Sequence, residues 1–146
     1  MDISALRPLD VLIVEDHLTI CDQLVNFLGR SGLLVNGVLT GADALAFARA
    51  YEPRLLILDY NLPDMDGVQL ADKLRQILPD ANIIMMSGRI DGVSEKTLAD
   101  LGISVFLNKP VPLAPLRRAV ERLIREPGPL PAPAGGWLSS GWGGVA

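Results

Sequence analysis

Five short apolar runs, each followed by a segment of helical period, leave this chain little choice of architecture. The runs are "DVLIV" at 10–14, "LLVNGVL" at 33–39, "RLLILD" at 54–59, "NIIMMS" at 82–87 and "SVFLN" at 104–108. The first helical segment carries an apolar stripe through Ile20, Leu24, Phe27 and Leu28, and "GADALAFARAY" at 41–51 is the second. The third places Val68, Ala71, Leu74 and Leu78 on one face, and "VSEKTLADLG" at 93–102 is the fourth. The fifth stripe runs through Leu113, Leu116, Val120, Leu123 and Ile124. Stretches such as "VLIV" and "LLIL" do not alternate polar with apolar residues, which is the mark of strands buried on both faces. Strict alternation of such strands with helices predicts an α/β fold, a doubly wound five-stranded parallel sheet with helices on both faces. Gly29 and Gly32 bracket the end of the first helix. Pro112 and Pro115 fall before or within the first turn of the last, where a missing N–H costs little.

At 146 residues the chain is about one domain long, and its 49% hydrophobic content suffices for a core. The net charge is -4 and the 13 basic residues form no stripe, which weighs against nucleic acid or an anionic membrane as a direct partner. A single cysteine, Cys21, makes no internal disulfide, so a reducing, cytoplasmic location is expected. The start "MDISALRPLD" has no basic segment followed by an apolar one, and no run approaches the ~20 residues of a spanning helix. From Pro127 onward proline and glycine dominate and charge disappears, so residues 127–146 read as a tail without stable secondary structure. The expected division is an extension at 1–9, a domain at 10–126 and this tail.

The stretch "LLILDYNLPDMDG" places Asp59 directly after four aliphatic residues, where a carboxylate is costly to bury. In an open parallel sheet, ligands sit beyond the carboxyl ends of the strands. Those ends deliver Glu15 and Asp16 from the first strand, Asp59 from the third, Ser87 from the fourth and Lys109 after the fifth. Carboxylates brought that close repel, by about 3 kcal/mol per pair at ~5 Å and an effective dielectric near 20. Either one of them takes up a proton or a divalent cation joins them. Oxygen ligands without a cysteine or histidine cluster point to Mg²⁺. On this reading a metal and Lys109 keep Asp59 ionised. The lone histidine, His17, reads as an exposed first-turn helix residue.

Four stretches, "VLIVEDH", "LLILDYNLPDMDG", "IIMMSG" and "VFLNKPV", resemble the four motifs of the receiver domain of two-component response regulators. The likeness runs from about residue 10 to 125 and is similar to the single-domain chemotaxis regulator. It implies a sheet in the flavodoxin-like order 2-1-3-4-5. It also implies that Asp59 is a nucleophile that becomes an aspartyl phosphate. Mg²⁺ would be held by Asp16 directly, by Glu15 largely through water, by Asp59 and by the backbone carbonyl of Asn61. Lys109 would pair with the phosphoryl group and Ser87 would donate a hydrogen bond to it, with Phe106 then turning in from the surface. The Lys109–Pro110 peptide is expected to be cis, since only an X–Pro bond adopts that form cheaply. Gly88 would leave room for a donor, while Arg89 and the Asn61 side chain would tune the lifetime of the phosphate. Ser87 for threonine and Glu15–Asp16 for a pair of aspartates are mild departures.

The implied partners are a sensor histidine kinase or phosphotransfer protein and a downstream target protein, met through the fourth helix, fifth strand and fifth helix. A homodimer is a further partner the resemblance allows. The chain would be no enzyme beyond catalysing its own phosphorylation and dephosphorylation. With about twenty residues after the receiver, a stand-alone regulator is expected, and Trp137 and Trp142 in the tail belong to an idle extension or a docking segment. Two other readings compete. A pseudo-receiver would keep the fold and bind partners without phosphorylation. A phosphatase of the haloacid dehalogenase type would need a second acid two residues after Asp59, where this chain has Asn61.

Overall fold

The computed structural model describes residues 9–88, 94–126 and 128–129. Strands β1 (Val11–Val14), β2 (Val35–Val38), β3 (Leu55–Asp59), β4 (Asn82–Ser87) and β5 (Ile103–Asn108) alternate with helices α1 (Leu18–Gly29), α2 (Gly41–Tyr51), α3 (Gly67–Ile77), α4 (Glu95–Asp100) and α5 (Leu113–Arg125). All strand pairs are parallel, in the order β2-β1-β3-β4-β5. Each element falls where periodicity places it. The fourth helix is trimmed from 93–102 to Glu95–Asp100, and β2 from 33–39 to Val35–Val38, an edge strand with the pattern "VNGV" whose only buried residue is Val38.

The aliphatic runs divide their side chains between two layers, as alternating strand residues must. One layer takes Leu12, Val14, Leu56, Leu58, Ile83 and Met85 and packs them on Ala44 and Ala48 of α2 and Leu70 and Leu74 of α3. The other takes Val11, Ile13, Leu55, Ile57, Ile84 and Met86 and packs them on α1 and α5. Both faces of the three central strands are therefore dry, and polar groups are left for a ligand only at the strand ends.

Local sequence sets the helix starts. Thr40 caps α2 by accepting from the Asp43 N–H at 3.1 Å. Asp66 and Gln69 form a reciprocal capping box at α3. At the opposite end of the sheet a shift in register between β4 and β5 leaves Ser104 as the extra residue of a bulge. Its hydroxyl donates to Asn82 Oδ1 at 3.0 Å, and Asn82 Nδ2 donates to the carbonyls of Leu123 and Glu126 at 3.1 and 3.2 Å. The Gly128 N–H donates to the Asp80 carbonyl at 3.1 Å, so the first part of the Pro/Gly-rich segment lies on the domain. The tryptophans Trp137 and Trp142 lie outside the described residues. Among the described residues, no helix is long and apolar enough to cross a membrane.

Candidate functional site

Strand order reverses beside β1, because the chain moves outward to β2 and then crosses back to β3. A crevice opens at such a switch point, beyond the carboxyl ends of β1 and β3. The register pairs Val14 with Leu58, so Glu15 and Asp59 are the next residues of two neighbouring strands. Ser87 ends β4 opposite Asn108, and the Lys109 N–H donates to the Ser87 carbonyl at 2.8 Å. That bond fixes where the lysine leaves the sheet.

The Lys109 ammonium reaches back across the crevice. Its Nζ donates to Glu15 Oε1 at 2.6 Å and to Asp59 Oδ2 at 2.9 Å. The two carboxylate side chains are 0% and 3% exposed, and the lysine 21%. Asp59 Oδ1 accepts the backbone N–H of Asn61 at 3.1 Å, and Glu15 Oε2 accepts that of His17, also at 3.1 Å. One ammonium therefore serves two buried carboxylates, and it does not serve them equally.

Burial pushes Asp59 up, the Lys109 and Asn61 hydrogen bonds only partly offset this, and the charge of Glu15 raises it further, to about 6. Burial also pushes Glu15 up. There the Lys109 hydrogen bond and charge, together with the His17 N–H, outweigh it and bring the carboxyl to about 2. Burial works against the charge on Lys109 as well, but its two carboxylate partners hold its pKa above the ordinary value. Without a further cation, the site keeps Glu15 ionised at the expense of Asp59.

Asp16 supplies the third carboxylate. Its Oδ1 is buried and accepts no hydrogen bond. An acceptor left so costs free energy unless something positive meets it. The His17 ring stands closest, with Nδ1 3.3 Å from Asp16 Oδ1 and 3.2 Å from Glu15 Oε2. Ligand atoms of Glu15, Asp16 and His17 all lie within 4.8 Å of one another. An orphaned carboxylate oxygen beside further oxygen donors suits a hard divalent cation such as Mg²⁺. The residues present fit that ion.

The remaining positions divide. Ser87 is 1% exposed at the end of β4. The Lys109–Pro110 peptide is cis. Arg89 lies outside the described residues. Gly88 is exposed, and a Cβ there would meet nothing within 4 Å. Phe106 corrects an expectation. It is not at the surface but 2% exposed, in the core layer with Met85, Leu98 and Ile103, because β5 runs between two covered faces up to Leu107. His17 is exposed, as the sequence suggested. Its position as N-cap of α1 nevertheless brings its ring to the acidic pair, and its adjacency to "ED" was the signal for that.

A cavity of about 550 Å³ opens alongside, between α1 and the segment after β5, lined by Ile20, Leu24, Phe27, Lys109, Val111 and Leu113. Its rim is apolar and wet at once, with Leu113 46% exposed and Leu18 nearby in sequence at 60%.

Residues 11–121 match the response regulator receiver domain family. The transcriptional regulatory protein PrrA of Mycobacterium tuberculosis is 32% identical over 128 residues, covering 88% of this chain and 54% of that protein. The transcriptional activator protein ExaE of Pseudomonas putida is 32% identical over 116 residues, covering 78% and 54%. The chain thus spans about half the length of the curated relatives it matches. A CheY-like receiver domain protein from Methanospirillum hungatei superimposes with a TM-score of 0.76 at 25% identity, covering 81% of this chain and 94% of that one. A two-component response regulator from Clostridium difficile gives 0.74 at 24%, covering 81% and 97%, and speaks for the fold alone. With its sheet order, its acidic crevice and a family match over most of its length, this chain belongs to the response regulator receiver domains of two-component systems.

Proposed function

We propose that Asp59 accepts a phosphoryl group from the phosphohistidine of a sensor kinase or phosphotransfer protein, in a reaction that requires Mg²⁺. The observation that carries this reading is the Lys109 ammonium bridging Glu15 and Asp59 at 2.6 and 2.9 Å. It aims a positive group at the place where phosphoryl charge would arrive. Asp59 Oδ attacks phosphorus as the P–N bond breaks, and the departing imidazole nitrogen keeps the bonding pair. Asp16, Glu15, Asp59 and the Asn61 carbonyl are the groups that would hold Mg²⁺, whose charge offsets that of the phosphoryl oxygens.

Lys109 follows the transferred group, since its hydrogen bond to Asp59 Oδ2 puts it within reach of an oxygen bonded there. Ser87, at the end of the neighbouring strand, is the donor for another phosphoryl oxygen. The exposed apolar rim of Ile20 and Leu113 beside Lys109 gives a phosphodonor protein a surface to sit on. The protein is then a switch, not an enzyme acting on an outside substrate, and its output is a contact with a target protein in the cytoplasm.

Acyl phosphates are reduced by borohydride to the alcohol. After incubation with acetyl phosphate and Mg²⁺, reduction and peptide mapping are expected to show homoserine at position 59. Homoserine elsewhere, or none in a sample that carries phosphate, would refute the assignment.

A further inference from the structure

We propose that Asp64 is a positioning residue for the cation site, a latch that holds the loop carrying Asn61 against the N-terminus of α2. The inference rests on the reading of the Asn61 carbonyl as a Mg²⁺ ligand. The loop in question joins β3 to α3, across residues 60–66. Its base is closed twice, by the Gly67 N–H donating to the Tyr60 carbonyl at 2.6 Å and by an isolated antiparallel bridge between Asn61 and Asp66. A third tie runs from the Asn61 N–H to Asp59 Oδ1. None of these restrains the tip.

The tip is restrained by Asp64. Its Oδ1 accepts the Gly41 N–H and its Oδ2 the Ala42 N–H, both at 2.9 Å. These are the first two residues of α2, whose N–H groups have no partner inside the helix. Thr40 caps only the Asp43 N–H, so Asp64 is the acceptor for the two N–H groups before it. Burial does not explain the residue, because Asp64 is exposed. What the bidentate contact achieves is to join two elements more than twenty residues apart, at a point where the helix end favours negative charge. The neighbouring Met65 reinforces the join. A Cβ on Gly41 would come within 2.7 Å of its Sδ, so the loop side chain lies directly against the start of the helix. The two N–H bonds hold the Asp64 carboxyl below the usual range, as a latch that stays charged requires.

A loop pinned at base and tip leaves the Asn61 carbonyl little freedom, and a ligand held in place binds its ion more tightly than one that must be ordered first. The test is a Mg²⁺ titration of the full chain, followed by calorimetry and by ¹⁵N NMR, for wild type, Asp64→Ala, Ala42→Pro and the double variant. Ala42→Pro removes one N–H from the helix side, in the first turn where proline is tolerated. Asp64→Ala is expected to weaken Mg²⁺ binding by about tenfold, the low end for residues that orient a ligand. Ala42→Pro should weaken it less, and the double variant no more than Asp64→Ala alone, as for two halves of one contact. In the acetyl phosphate reaction, the Mg²⁺ concentration for half-maximal rate should rise by the same factor while the rate at saturating Mg²⁺ stays near that of the wild type. A merely structural cap would lower the melting temperature and leave these quantities alone. Equal Mg²⁺ affinity in wild type and Asp64→Ala overturns the latch. Absence of Mg²⁺ binding by the wild type overturns the reading of the site on which it rests.

Discussion

Asparagine in place of Asp59 is expected to raise the melting temperature of the Mg²⁺-free protein at pH 8, and the gain should shrink as the pH falls below about 6. The carboxyl of Asp59 sits at about 6 in the fold against an ordinary 3.8, because it is buried and faces Glu15. Its folded-state pKa is therefore raised, so ionising it costs the native state more than the unfolded one. That penalty is complete above about 6 and absent below 3.8. Two pH units correspond to ~3 kcal/mol, and with Lys109 shared between two carboxylates about 2 kcal/mol is the reasonable scale. For a domain of this size that is roughly 5 to 10 °C. Glu15 gives the opposite slope. Its carboxyl lies at about 2 against an ordinary 4.5, so its contribution is present above 4.5 and lost as the pH falls towards 2, in both proteins. Thermal melts of both proteins from pH 4 to 8 in chelator would read this difference directly. A pH-independent offset, or a less stable variant at pH 8, would show that Asp59 carries no such penalty. On the proposed reading, Mg²⁺ binding would recover what burying this carboxylate costs.

Lys109→Met is expected to be the most damaging single change at the site. Methionine keeps most of the stem's packing and removes the charge. Glu15 and Asp59 are then left 0% and 3% exposed with no ammonium between them. Removing one partner from a buried ion pair costs 3–5 kcal/mol, and because the lysine is 21% exposed the lower end, about 3 kcal/mol, applies here. Part of the loss should return on adding Mg²⁺, which replaces the missing charge. The rate of phosphorylation by acetyl phosphate at saturating Mg²⁺ should still fall by about 10²–10³, the usual consequence of losing one group that meets developing charge. Denaturant melts and single-turnover rates measure the two effects separately. Wild-type stability together with a wild-type rate would remove Lys109 from the account.

The strand ends were legible because sheet register and chain direction leave few choices. Once "VLIV" and "LLILD" are parallel neighbours, Glu15 and Asp59 must come side by side, and Lys109 must follow a fifth strand packed on the fourth. Contacts made by loop tips and bulges follow no such periodicity. The Asp64 latch joins residues 22 and 23 positions apart, and nothing in "NLPDMDG" indicates which amides its carboxylate meets. Asn82 reads as the polar start of a strand, yet it ties β4 to β5 and to the end of α5 through Ser104, Leu123 and Glu126. Arg75 reads as a solvated helix residue, yet its guanidinium donates to the carbonyls of Leu78, Pro79, Ala81, Leu101 and Gly102. Phe106 was misjudged for another reason. The resemblance places it at the surface before phosphorylation, whereas here it shares a buried layer with Leu98 of α4.

The central claim is that Asp59 takes up a phosphoryl group with the help of Mg²⁺. Intact-protein mass after incubation with acetyl phosphate, with Mg²⁺ and with chelator, on wild type and Asp59→Asn, tests it most directly. One added phosphoryl group is predicted for the wild type with Mg²⁺, and none for the wild type in chelator or for the variant in either condition. A gain of equal size in the variant, or one that survives chelation, would contradict the account.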